Sequence, residues 1–159
     1  MNAIEPIGTI HTPFRELANM PIQPKGAAEV IGTVRLEKQY AAGLADLDGF
    51  SHLYLLYLFH QSKRVALEVV PFMDTVKRGV FATRSPLRPN HIGLSIVTLV
   101  GVKGPELTVK GIDVLDGTPL LDVKPYIERF DRVADSRSGW MQAGEQEIAA
   151  KRSDNRFIS

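Results

Sequence analysis

The chain has 159 residues, 44% hydrophobic and 23% charged with a net charge of +1, which suits one globular domain able to bury a sizeable core without staples. It has no cysteine, which excludes disulfides, thiol chemistry and a zinc–thiolate centre and fits a cytoplasmic protein. Met1-Asn-Ala-Ile-Glu5 lacks a basic start leading into an apolar run, and the longest apolar run, Leu53–Phe59, is too short to span a bilayer, so neither a secretory signal nor a membrane partner is expected.

Ile4–Thr12 is rich in β-formers and closes on Thr12-Pro13, a first strand. Residues 13–27, with Pro13, Pro21, Pro24 and Gly26, predict a long irregular loop, and loops of that length often carry function. Glu29–Glu37 alternates, with Val30, Gly32, Val34 and Leu36 on one face and Glu29, Thr33, Arg35 and Glu37 opposite; only Ile31 breaks the pattern. Lys38–Leu47 predicts a short helix ended by Asp48-Gly49. Phe50–His60 is an almost continuous apolar run and predicts a strand buried on both faces, with His52 in the core or at a dimer contact. Val65–Val70, stopped by Pro71, is another strand candidate.

Between His60 and His91 the chain carries Lys63, Arg64, Lys77, Arg78, Arg84 and Arg88 against Glu68 and Asp74. Such a surplus suits a solvated face or an anionic partner, of which nucleic acid is the common one. Within it, Gly79-Val-Phe-Ala-Thr-Arg-Ser-Pro-Leu-Arg-Pro-Asn-His-Ile-Gly-Leu-Ser95 reads as a strand, a turn and a second strand. Pro86 and Pro89 stiffen the turn, and an arginine pair on a rigid loop loses little entropy on binding a carboxylate or phosphate. His91–Val102, Leu107–Leu115 and Leu120–Val123 are the remaining strands, with turns at Lys103-Gly104-Pro105 and Asp116-Gly117. Ser138–Arg152 predicts a helix, since Glu145 and Glu147 precede Lys151 and Arg152 as the helix dipole prefers, although Gly144 weakens it. Seven or so strands with few helices indicate a mainly β fold, a barrel or compact sandwich.

Four segments place polar groups at strand ends or in long loops: Pro21-Ile-Gln-Pro24, Phe59-His60-Gln61, the Arg84 loop, and Asp113-Val-Leu-Asp-Gly-Thr-Pro119. Singly, each has a structural explanation: His60 can finish a core strand, and Asp116 before Gly117 can form an Asx turn. The histidines at 11, 52, 60 and 91 are scattered, without the close pairing of a metal site.

Together, the word at 79–95, Asp113-Val-Leu-Asp-Gly-Thr-Pro-Leu-Leu-Asp-Val-Lys-Pro-Tyr126, Ile7-Gly-Thr-Ile-His-Thr-Pro-Phe14 and Leu47-Asp-Gly-Phe-Ser-His-Leu53 closely resemble the TsaA-like, or TrmO, family over roughly residues 4–130. The resemblance implies a single compact β-barrel domain, here 1–159 with a few short helices and a C-terminal helical tail at about 138–152, working as a homodimer. It implies an S-adenosylmethionine-dependent enzyme that N-methylates threonylcarbamoyladenosine beside the anticodon of tRNA. The cofactor contacts it implies are Pro21, Ile22, Gln23, His60, Gln61, Arg84, Leu94, Asp113, Val114, Leu115 and Asp116. Some tRNA-modifying members carry a further C-terminal domain; this chain stops at Ser159, so RNA affinity is expected from the barrel dimer.

Within that set, Arg84 is expected to pair with an anionic group, Asp113 or Asp116 to bind an ammonium or hydroxyls, and Leu94 with backbone near Leu115 to pack on adenine. His60 and Asp116 are candidates for accepting the proton that the target nitrogen loses. Lys63, Arg64, Arg78 and Arg88 are candidates for RNA phosphate contacts. The absence of Gly-x-Gly-x-x-Gly agrees with a non-Rossmann cofactor site. A different RNA or small-molecule substrate, or a non-catalytic nucleotide- or RNA-binding module, remain the other readings.

Overall fold

Half-apolar strands bury one face, and closing them into a ring leaves no unpaired edge. The computed structural model describes residues 3–16, 27–72 and 74–141. Its strands are β1 (Gly8–His11), β2 (Ile31–Leu36), β3 (His52–Leu58), β4 (Glu68–Val69), β5 (Arg78–Gly79), β6 (Ile92–Lys103), β7 (Glu106–Lys110) and β8 (Thr118–Pro125), followed by a one-turn helix α1 (Glu128–Asp131). Six of them close into an antiparallel barrel in the order β1–β2–β7–β6–β3–β8, and β4 and β5 pair by themselves. Inward-facing residues such as Ile10, Val34, Leu53, Leu55, Val97, Leu107, Val109 and Leu120 fill the barrel, with Ile112 and Val114 from the β7–β8 loop. None of its helices is long and apolar enough to cross a membrane, among the described residues.

The expected barrel is therefore present, with several local differences. The helix expected at 38–47 is two 3-10 turns, Lys38–Leu44 and Leu47–Gly49. The segment 50–60 is not buried on both faces. In β3, Leu53, Leu55 and Tyr57 point inward while His52, Tyr54, Leu56 and Leu58 face out, so the apolar outer face had mimicked a doubly buried strand. His52 is exposed, edge-on to Tyr126 with ring centroids 6.3 Å apart, and does not enter the core. The strand expected at 65–70 shortens to β4, and β7 stops at Lys110 because Gly111 turns the chain at φ 86°. The helix expected at about 138–152 falls largely outside the described residues; its first residues form a turn in which the Met141 N–H reaches the Ser138 carbonyl at 3.0 Å.

Antiparallel registry fixes which loops share an end. Leu58 pairs with Ile92, Tyr57 with Leu120, Ile10 with Thr118, and Ile31 with Lys110. The ends of β1, β3 and β7 and the starts of β2, β6 and β8 thus lie together, and the loops 59–91 and 111–117 leave from that end. Much of loop 59–91 folds on its own small core of Val69, Val80 and Leu87 beside the β4–β5 pair.

One close approach at this end depends on glycine. Gly93 lies opposite Tyr57 in the β3–β6 ladder, and a Cβ there would collide with Tyr57 Cε2 and approach Tyr57 Cζ to 2.7 Å and Phe59 Cζ to 2.8 Å. Tyr57 is buried and its ring is edge-on to the partly buried Phe59, so the Tyr57 ring has little room to retreat. Gly93→Ala is expected to destabilise the barrel by about 1–3 kcal/mol, the cost of overpacking a tight core. Urea denaturation against the wild type checks this, and an unchanged midpoint would show that the rings move aside freely.

Candidate active site at one end of the barrel

The loop-bearing end carries a chain of hydrogen bonds that begins inside the barrel. Tyr57 on β3 and Ser95 on β6 are diagonal neighbours on the inner face, with Tyr57 OH 2.8 Å from Ser95 Oγ. Ser95 Oγ donates to Asp113 Oδ1 at 2.7 Å. A serine hydroxyl has one proton, so while Asp113 accepts it the Tyr57 hydroxyl is the donor to Ser95. Burial pushes the Asp113 carboxyl up to about 6, against the Ser95 hydrogen bond and the positive charge of Arg84, which both favour its ionised form. Burial likewise holds the Tyr57 hydroxyl protonated, and the adjacent Asp113 charge adds to that effect. Asp113 is thus a carboxylate with a fixed orientation whose titration lies close to neutrality.

Asp116, three residues on, is built for the opposite behaviour. The Thr12 N–H donates to its Oδ1 at 3.0 Å, His11 Nδ1 lies 3.3 Å away, and Arg15 Nη1 is 3.9 Å from Oδ2. The Thr12 N–H first, and the His11 contact with it, hold this carboxyl below its ordinary range despite partial burial. It stays ionised and is a poor proton acceptor, which weakens the expectation that it handles the proton. Between the two, Val114 and Leu115 are buried, and their carbonyls accept from Thr12 Oγ1 at 2.7 Å and Thr118 Oγ1 at 2.6 Å. They hold the loop in shape, so a ligand there meets backbone and not their side chains.

The Arg84 loop is rigid because its own groups tie it. Thr83 Oγ1 accepts from the Ser85 N–H at 3.2 Å, and Ser85 Oγ accepts from the Leu87 N–H at 3.2 Å. Arg88 Nη1 donates to the carbonyls of Thr83 at 2.7 Å, Ser85 at 3.3 Å and Val80 at 3.5 Å. Asn90 and His91 both take left-handed φ, 66° and 52°, a conformation that is rare and costly for side-chain-bearing residues. His91 is held there by its Nδ1 contact with the Pro86 carbonyl at 2.8 Å and by the Phe59 N–H, which donates to the His91 carbonyl at 2.7 Å. The result presents Arg84 on the surface, close enough to Asp113 and Tyr57 to favour the charged form of each.

Sequence expectation and geometry meet at His60, Gln61, Arg84, Asp113 and Asp116, all on loops at this end, with His60 and Gln61 in the turn directly after β3. Leu94 is on a strand at the same end and faces away from the barrel interior, 44% exposed, while its neighbour Ser95 points inward to Asp113. Pro21, Ile22 and Gln23 lie outside the described residues. Of the cations expected to meet RNA, Lys63 and Arg64 are exposed. Arg78 instead pairs with Asp74 at 2.5 Å and covers the Trp140 ring, and Arg88 braces its own loop, so both serve local structure. Tyr57, Ser95 and His11 are not among the site residues expected from the sequence; Tyr57 reads there as part of a dimer-forming aromatic strand, and it faces the barrel interior instead. The available signal was parity: Ser95 is a hydroxyl at an inward position between Gly93 and Val97 on an otherwise apolar strand face.

Because the folded Asp113 pKa lies above its unfolded value near 3.9, the folded state holds a proton that the unfolded chain releases. The protonated carboxyl therefore contributes stability fully below about pH 4, and that contribution is lost as pH rises through about 6, amounting to roughly 2–3 kcal/mol. Asp113→Asn is expected to remove this component. Urea denaturation of both proteins at about pH 4.5 and 7.5 measures it, and parallel pH dependence in the two would refute the assignment.

Comparison with known proteins places this geometry. Residues 9–132 match the family described as the tRNA-methyltransferase O N-terminal domain. A probable S-adenosyl-L-methionine-binding protein of Pyrococcus abyssi is 46% identical over 100% of this chain and 86% of its own length. The human tRNA (adenine(37)-N6)-methyltransferase is 36% identical over 80% of this chain, but the match spans only 30% of that protein. The crystal structure of TrmO from Pseudomonas aeruginosa superposes with a TM-score of 0.77 and 41% identity, covering 90% of this chain and 64% of that one. A closed β-barrel with this sequence word at its mouth belongs to the TrmO family of tRNA-methyltransferase O N-terminal domains.

Proposed function

We propose that the protein is an S-adenosylmethionine-dependent methyltransferase acting on N6 of adenosine 37 in tRNA, with threonylcarbamoyladenosine as the substrate form. The observation that carries this reading is the Asp113 carboxylate, oriented by Ser95 and facing the field of Arg84 at the open end of a barrel of this family. The donor set fits the cofactor's chemistry: Arg84 for its carboxylate, the ionised Asp116 for an ammonium or hydroxyls, and His60 and Gln61 for hydrogen bonds to ribose or base.

When bound, the cofactor supplies a methyl group on a sulfonium, open to in-line displacement. What the chain contributes is alignment and proton management, because such a transfer needs no covalent enzyme intermediate. The target nitrogen sheds a proton as it takes the methyl group, and a base serves best when its pKa lies near working pH. Asp113, pushed up to about 6, meets that condition better than Asp116, whose pKa is lowered. Tyr57 and Ser95 hold the Asp113 carboxyl in one orientation while it accepts.

The homodimer belongs to the same proposal. On the outer face of β3 and β6, Leu58 pairs with Ile92, Leu56 with Leu94 and Tyr54 with Ile96, an apolar stripe with Leu94 and Ile96 exposed at 44% and 42%. A second copy over this stripe covers it, and brings Leu94 into a shared site that one barrel alone does not assemble. Leu94→Asp with Ile96→Asp is expected to yield monomers by sedimentation; a wild type that sediments as a monomer overturns the dimer.

Calorimetric titration with S-adenosylmethionine is expected to show saturable binding that Arg84→Ala weakens by tenfold or more, about 1.4 kcal/mol or more. Methyl transfer is then expected to tRNA carrying threonylcarbamoyladenosine and not to the same tRNA lacking it. Asp113→Asn is expected to lower kcat by about 10²-fold or more. Cofactor binding with no methylated product from either RNA would leave a binding module in place of an enzyme.

A further inference from the structure

The lobe formed by loop 59–91 carries a feature that the methyl-transfer site does not use. Phe81 follows Val80, the buried anchor of this lobe, yet is itself 73% exposed. A lone exposed phenylalanine is unremarkable in itself. This one is braced: the Arg88 guanidinium lies 5.9 Å from its ring centroid, and that guanidinium is tied to three loop carbonyls. On the other side of Ala82 the pattern repeats. Trp140 Nε1 donates to the Ala82 carbonyl at 2.8 Å, and Arg78, paired with Asp74, lies 5.5 Å from the Trp140 ring.

The surroundings supply the charge. The segment leading into β4 is joined to the loop by the Val80 N–H to Leu67 carbonyl bond and the Ala66 N–H to Leu87 carbonyl bond, both 2.8 Å. That segment exposes Lys63 and Arg64 beside Val65 and Leu67, and Lys77 is exposed just before β5. Rigid aromatic faces beside exposed cations are the arrangement that binds unpaired nucleotides: a base stacks on the ring while phosphates meet the cations. A protein partner would find the same apolar rim but no use for the cations unless it were acidic.

We propose that Phe81, backed by Arg88, is a stacking platform for an unpaired base of the RNA substrate, with Lys63, Arg64 and Lys77 as its phosphate-binding rim. This rests on the tRNA reading above and adds to it the surface that takes the nucleotides around the target.

Fluorescence anisotropy tests it, using a short RNA stem-loop with an unpaired anticodon-sized loop and, as control, a fully paired duplex of equal charge. Phe81→Ala is expected to lose about tenfold in affinity for the stem-loop, with duplex affinity, salt dependence and S-adenosylmethionine affinity unchanged and Phe81→Trp restoring the loss. Lys77→Ala is expected to weaken both RNAs and reduce the stem-loop salt slope by about 0.7. Wild-type stem-loop affinity in Phe81→Ala overturns the platform while leaving the tRNA reading intact. Loss of cofactor affinity in Phe81→Ala overturns it by placing the ring in the cofactor site. A wild-type protein that binds neither RNA overturns the tRNA reading and the platform with it.

Discussion

The Tyr57 ring lies against the bare backbone of Gly93, and from that position its hydroxyl reaches Ser95, which in turn fixes Asp113. Each link needs the β3–β6 register as it stands. A slip of one residue would turn Ser95 outward and Leu94 inward, because side chains alternate across a strand. It would leave Asp113 without its donor and place a hydrophobic side chain where the relay now runs. Barrel closure protects this register, since both strands are paired along both edges and neither can slide alone.

The two carboxylates of the loop 111–117 show how three residues of separation give different chemistry. Asp113 meets a hydroxyl in a poorly solvated site, so its charge is tolerated only in part. Asp116 reaches back to the end of β1, where a backbone N–H and a histidine favour its charge. One group is poised near neutrality by its place beside Ser95 on β6, and the other stays anionic by its place at the end of β1.

Much of this was legible in the sequence, and the rest was not for identifiable reasons. Strong alternation in 29–37 and the turn at Lys103-Gly104-Pro105 gave β2 and the β6–β7 hairpin closely. The run at 50–60 misled because an apolar outer face and a buried one have the same composition; only pairing partners distinguish them. Arg84 and Asp113 stood out through their sequence words, but Ser95 and Tyr57 did not, because a hydroxyl facing into a barrel resembles any other strand residue until its neighbour across the ladder is known. Arg88 reads as a cation for RNA, and the structure adds that it braces its own loop; hydrogen bonds to loop carbonyls cannot be read from spacing.

The first and last strands of the ring are also its most distant in sequence: Gly8 pairs with Leu120. On a ribosome, β1 and β2 can meet early, but the seam between β1 and β8 has no second side until β8 has been synthesised. Closure by such a long-range pairing is slow compared with hairpin formation. During synthesis the open edges of β1 and β3 are therefore exposed together with the apolar stripe of β3, which makes the interval before closure the point of greatest exposure to aggregation for this chain.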